Sequence, residues 1–351
     1  MAHTYLGTLL ILGLVTTAGA SANDSDLSGT LNSIYEVPST ELKPDVIKTS
    51  PKDKGLSIQV LRKDHGSTTP IRGLELQIGQ NIKLGITDMG GNIPLSECPS
   101  LSPSFTVTAK LKDPHVSIGN GDETYVLSFN VKCPSAVLVI FEETTTSGQA
   151  FGIWQVAKEA MLKLGSSVGL GFLRDHIEFV WPANSDYYSL GKVHISRGDH
   201  WDIVGHELGH AIYDQGDIGG FGGGQHKIDE CYSAALALSE GWASFFSAWL
   251  SINLADKDAR FEFMVPRRSP IRIENIPSDV CKGPTNEWRV TSFLWDLIDS
   301  HTDGENMKES FATLWHALEG SRTKSITDAV KLFKKQGIDE NAMMDVWKIN
   351  F

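Results

Sequence analysis

The chain has 351 residues, 41% of them hydrophobic and 21% charged, a balance that excludes a largely disordered or membrane-embedded protein and suits two globular domains. Its formal net charge of -12 comes with no basic run beyond Arg267-Arg268 and Lys334-Lys335. That pattern argues against nucleic acid as a partner, because a polyanion is held by clustered Lys and Arg.

Residues 1–22 read as a signal peptide. The run "YLGTLLILGLVTTAGASA" is uncharged and apolar, and the small residues at its end permit cleavage after Ala20 or Ala22. No Lys or Arg precedes it, so a membrane anchor is the competing reading, but the run is short for a bilayer span. The expectation is a secreted or periplasmic protein with no membrane association beyond export. Four cysteines without a CxxC pair agree with an oxidising compartment. Bridges Cys98–Cys133 and Cys231–Cys281 are expected, with four buried free thiols as the alternative.

From 23 to 54 the chain is rich in Ser, Thr, Asp and Pro with little periodicity, which predicts a loosely structured lead-in. From 55 to 147 short segments alternate apolar and polar residues, for example "GLSIQVLRK", "SFTVTAKLK", "ETYVLSFNVK" and "SAVLVIFEE". Broken by Gly, Pro, Asp and Asn, they predict an antiparallel β-sandwich. Within it, "GITDMGGNIPL" resembles the "TDxxGxf" hairpin of carboxypeptidase-regulatory or transthyretin-like sandwich domains. A sandwich or propeptide carrying no chemistry is the role expected of this half.

After Gly148 the period changes to that of helices, beginning with "FGIWQVAKEAMLKLGSSVG". "HIEFVWP" and "GKVHISRG" are strand-like, the latter either a sheet edge open to a peptide or an interior strand. From Trp201 onward nearly every segment is helical. The predicted class is α+β, with a domain boundary near 148 and a mainly helical domain over 148–351.

That second half carries His206-Glu207-Leu208-Gly209-His210. Four residues apart on a helix, both imidazoles reach one ion while Glu207 leans over its edge. The apolar flanks Ile203, Val204, Ala211 and Ile212 indicate a buried helix. Two imidazoles leave a zinc site short of a ligand. Glu240 is the sole ionisable side chain in "ALALSEGWASFFSAWL", where a carboxylate needs compensation that a cation supplies. Asp217, His226, Asp229 and Glu230 are the competing third ligands.

"HELGHAIYD" followed by "ALSEGWASFF" resembles the gluzincin metallopeptidases, and "NEWRVTSFLWDLIDS" is similar to a segment that often follows in them. The resemblance covers residues 150 to 300. It implies a zincin catalytic domain with Zn2+ as cofactor, His206, His210 and Glu240 as ligands, Glu207 as general base, and a protein or peptide as substrate. Ser244 stands where thermolysin-like members carry Asp, which leaves Asp214, Asp296 and Asp299 as candidate partners of a ligand imidazole. Tyr213 and Gly216 exclude the HExxHxxGxxH pattern, and no "GxMEN" exopeptidase segment occurs. His301 is the favoured donor to a developing oxyanion, ahead of Tyr213 and Tyr232. The expected function is a secreted zinc-dependent metalloendopeptidase. The alternatives are an exported binding protein with a structural metal site, or a zinc exopeptidase or amidase on the same fold.

Overall fold

In a computed structural model of the protein, the residues described are 39–79, 82–99, 102–220, 224–301, 304 and 306–351. The expected signal peptide and the start of the lead-in lie outside them. Strands come first and helices follow, an α+β architecture. No helix among the described residues is long and apolar enough to cross a membrane.

The first half runs β1 (Glu41–Leu42), β2 (Val46–Pro51), β3 (Leu56–Asp64), β4 (Ser67–Pro70), β5 (Glu75–Ile78), β6 (Ile82–Ile86), β7 (Asn92–Leu95), β8 (Ser104–Lys110), β9 (Val116–Gly119), β10 (Val126–Lys132) and β11 (Ser135–Phe141). One sheet has the order β1-β10-β8-β5-β6 and another β2-β11-β3-β4, with β7 also on β3. Two-residue alternation decides which side chains go inward. Leu56, Ile58 and Val60 of β3, Val137, Val139 and Phe141 of β11, and Leu127, Phe129 and Val131 of β10 are all buried in one core.

The sheets depart from the expectation in three ways. Residues 41–51, read as part of a loose lead-in, form β1 and β2 and pair with β10 and β11. The pairs β1–β10 and β3–β11 are parallel rather than antiparallel; these strands are far apart in the chain, so no tight hairpin dictates their direction. The Asp88 turn is no hairpin either, since β6 lies in one sheet and β7 pairs with β3 in the other. Asp88 Oδ1 accepts from the amides of Gly90 and Asn92, both at 2.8 Å, which turns the chain from one sheet to the next.

The second half adds α1 (Thr146–Ser167), β12 (Ile177–Val180), β13 (Tyr187–Ser189), β14 (Lys192–His194), α2 (Trp201–Gln215), α3 (Ala234–Ser251), β15 (Arg260–Phe261), β16 (Ile271–Arg272), α4 (Glu287–Asp296), α5 (Phe311–Leu318), α6 (Ile326–Gln336) and α7 (Glu340–Asn350). A third sheet, β13-β14-β12-β9, borrows β9 from the first half. The expected boundary near 148 is therefore bridged by backbone pairing. β14, carrying "KVH", is interior, and β13 is the edge.

Helix starts follow side-chain caps: Thr145 accepts from Gly148 N, Ser233 from Leu236 N and Asn286 from Arg289 N. α3 is apolar all round because aromatic neighbours enclose it. Trp249 stacks on Phe311 with ring centroids 3.7 Å apart, and Trp242 packs near Phe311 and Trp315. Each such ring contributes roughly 1.5–3 kcal/mol by leaving water. Disulfides join Cys98 to Cys133 and Cys231 to Cys281, in the expected pairing. The second ties together the segments leading into α3 and α4.

Candidate metal centre

α2 and α3 meet through small residues. A Cβ placed on Gly209 would lie 2.8 Å from both the Cα and the carbonyl oxygen of Ala243, and Gly205 abuts Ser247. Only glycine permits this approach of two backbones. Asp202 fixes the start of α2, its Oδ2 accepting from the amides of Glu262, Phe263 and Met264 at 2.8, 2.7 and 3.2 Å. The side chains that α2 and α3 present to each other are set by these contacts.

His206 and His210 direct their Nε2 atoms at the same oxygen, Glu240 Oε2, each at 3.1 Å. The three donor atoms lie within 4.8 Å of one another and all three residues are buried. Burial opposes ionisation of Glu240, yet the His210 and His206 rings outweigh it and hold the carboxyl well below the usual carboxylate range. Burial, partly offset by Glu240, lowers His206. Ser244 Oγ sits 3.0 Å from His206 Nδ1 and Ser239 Oγ 3.5 Å from His210 Nδ1. With Nδ1–H donated to a hydroxyl, the Nε2 lone pair faces inward. Two imidazole nitrogens and one carboxylate oxygen form a donor set that suits Zn2+.

Glu207 is buried beside this cluster. Burial, then the charges of Glu240 and Asp186, push its carboxyl well above the ordinary value, against a backbone hydrogen bond from Tyr188. That bond brings edge strand β13 next to Glu207. A bound dication would reverse the sign of the local field and favour the carboxylate.

The carboxylates considered as imidazole partners accept from other groups. Asp214 accepts from Tyr188 Oη at 2.6 Å, Asp296 from Asn350 Nδ2 at 2.7 Å, and Asp299 from the His301 amide at 2.9 Å. Ser244 Oγ is the group at hydrogen-bond distance from His206 Nδ1. His301, the expected oxyanion donor, has donor atoms grouped with those of Glu274 and Asp299.

Two residues join the cluster that the sequence reading had not placed there together. His226, with a side chain 7% exposed, puts Nε2 3.8 Å from Glu240 Oε2 and 3.3 Å from Glu287 Oε2. Its Nδ1 lies 3.2 Å from the Gly224 carbonyl. Burial, then Glu240, raises the Glu287 carboxyl well above its ordinary value. Asn286 anchors the segment after His226 by donating to the carbonyls of Ile228 and Glu230, both at 2.8 Å. Asn286 also caps α4, but a cap does not say which residue the helix faces.

No curated protein matches the chain. A solved structure of Klebsiella pneumoniae 5-hydroxyisourate hydrolase is 13% identical over 25% of this chain and 90% of that one, with a TM-score of 0.18, a likeness too slight to carry an argument. Residues 174–336 match the family described as the mycolysin C-terminal domain. That span is under half the chain, and it sets the helical half in a thermolysin-like protease context.

Proposed function

We propose that the protein is a secreted zinc-dependent metalloendopeptidase in which His206, His210 and Glu240 hold Zn2+ and Glu207 is the general base. The observation that carries this reading is the convergence of two Nε2 atoms on one Glu240 oxygen, with Glu207 buried alongside. A purely structural site has no use for a second carboxylate there. The match to the mycolysin C-terminal domain supports the peptidase class, and the two disulfides agree with export.

When bound, zinc acidifies water and polarises a carbonyl. Glu207 takes the proton from the attacking water and delivers it to the departing amine nitrogen. Its burial keeps that proton from bulk solvent, and the Tyr188 amide orients the carboxylate. His226, steadied by Glu287, takes the role expected of His301 and donates to the oxygen on which charge develops. An extended substrate pairs with the open edge of β13, so backbone contacts rather than side chains supply most of the affinity.

The test is cleavage of a long protein substrate blocked at both ends. The reading predicts cleavage that chelation abolishes and zinc restores. Cleavage confined to short peptides with free ends would assign an exopeptidase, and zinc-loaded protein without hydrolysis would assign a binding protein.

A further inference from the structure

A second set of ligating side chains flanks α4. Glu274, just beyond β16, and Asp299 and His301, just beyond α4, bring one donor atom each to within 4.8 Å of one another. Asp299 is 1% exposed, and Glu274 and His301 are half-buried. Neighbouring groups orient each carboxylate. Glu274 Oε1 accepts from Trp295 Nε1 at 2.8 Å, and Asp299 Oδ2 accepts from the His301 amide at 2.9 Å. Ser300, between Asp299 and His301, donates its amide to the Leu254 carbonyl at 2.7 Å, which ties this segment to the chain leaving α3.

The His301 ring says what the cluster needs. Its Nδ1 is buried and has no hydrogen-bond partner among the described residues, so neither carboxylate meets it directly. Asp299, which accepts from the amide of the same residue, lies on the backbone side of the ring, where Nδ1 is. If Nδ1 carries a proton, a buried donor goes unmet. If it does not, its lone pair faces carboxylate oxygens with nothing positive between them. A fully protonated ring would leave the same donor unmet. A divalent cation resolves the conflict: it accepts the Nδ1 lone pair, with the proton on Nε2, and offsets the charge of both carboxylates.

One imidazole nitrogen and two carboxylate oxygens suit a first-row transition ion such as zinc rather than calcium or magnesium, which favour oxygen alone. The partial exposure of Glu274 and His301 gives the ion a route from solvent.

We propose that Glu274, Asp299 and His301 bind a second divalent transition-metal ion, which clips the segment after β16 to the end of α4. Trp295, the partner of Glu274, lies eight residues along α4 from Glu287, or roughly 12 Å. The clip therefore fixes the far end of the helix whose start reaches His226. This site rests neither on the peptidase reading nor on the first metal centre.

The test counts zinc by elemental analysis in the full chain after zinc loading and gel filtration. Two ions per chain are expected in the parent, one in Glu240→Ala, one in His301→Ala and none in the double variant. Glu240→Ala protein is also expected to melt several degrees higher with zinc than after chelation, a shift that adding His301→Ala removes. Glu274→Gln keeps an acceptor for Trp295 and takes the place of His301→Ala should that variant fail to fold. Glu240→Ala protein that holds no zinc, or whose zinc survives the added substitution, would overturn the proposal. Failure of the first centre gives a different pattern: one ion in the parent, kept in Glu240→Ala and lost in His301→Ala.

Discussion

Gly209 of α2 lies against the backbone of Ala243 of α3, and a methyl group between them would sit 2.8 Å from the Ala243 Cα. The contact is one residue from His210 and three from Glu240, so it sets how closely imidazole and carboxylate approach. Gly209→Ala forces the helices apart at a cost of about 1–3 kcal/mol. The expected result is a lower melting temperature together with weaker zinc affinity, read by competition with a chromogenic chelator. Unchanged affinity would mean that the helix spacing does not tune the donor set.

Ser244 supports His206 from behind, with Oγ 3.0 Å from Nδ1. Ser244→Ala removes that partner and leaves the ring free to turn. Loss of a group that orients a ligand typically weakens metal binding 10–100-fold, and this substitution should fall at the low end because a neutral hydroxyl is lost. Ser244→Asp should restore affinity. Calorimetric titration with zinc checks both.

Glu207 is assigned the proton transfer and no part in holding metal. Glu207→Gln should keep stoichiometric zinc and lose turnover by several orders of magnitude, since base and acid steps each contribute about 10²–10⁴. Zinc content by elemental analysis and turnover on a blocked protein substrate separate the two effects. Residual turnover near the parent level would remove Glu207 from the mechanism.

His226→Ala tests the donor role that His301 was expected to fill. Removal of one such donor costs about 2.7–4 kcal/mol of barrier, so kcat should fall 10²–10³-fold with KM little changed and zinc retained. His301→Ala should leave kcat within a factor of a few, because its ring is grouped with Glu274 and Asp299. The reverse pattern would return the role to His301.

The features legible in the sequence are those with short-range causes. Alternation along "SIQVLRK" and "AVLVIF" predicts β3 and β11, and four-residue spacing predicts that His206 and His210 share a face of α2. Glu240 stood out because a lone carboxylate in an apolar helix demands a partner. Pairing across the chain was not legible: β9 joining β12, and Glu41–Leu42 pairing with β10, depend on contacts that no local pattern encodes. The grouping of His301 with Glu274 and Asp299 was illegible for the same reason, since distance along the chain does not fix position in space. His226 was weighed as a ligand, but its proximity to Glu287 arises only when Asn286 gathers the carbonyls of Ile228 and Glu230.

The most direct measurement is anomalous scattering at the zinc edge from crystals of the full chain, with zinc per chain counted in parent and Glu240→Ala protein. The account predicts one atom between His206 Nε2, His210 Nε2 and a Glu240 oxygen, lost or bound far more weakly in Glu240→Ala. No anomalous peak at that point, or undiminished affinity in Glu240→Ala, would contradict it.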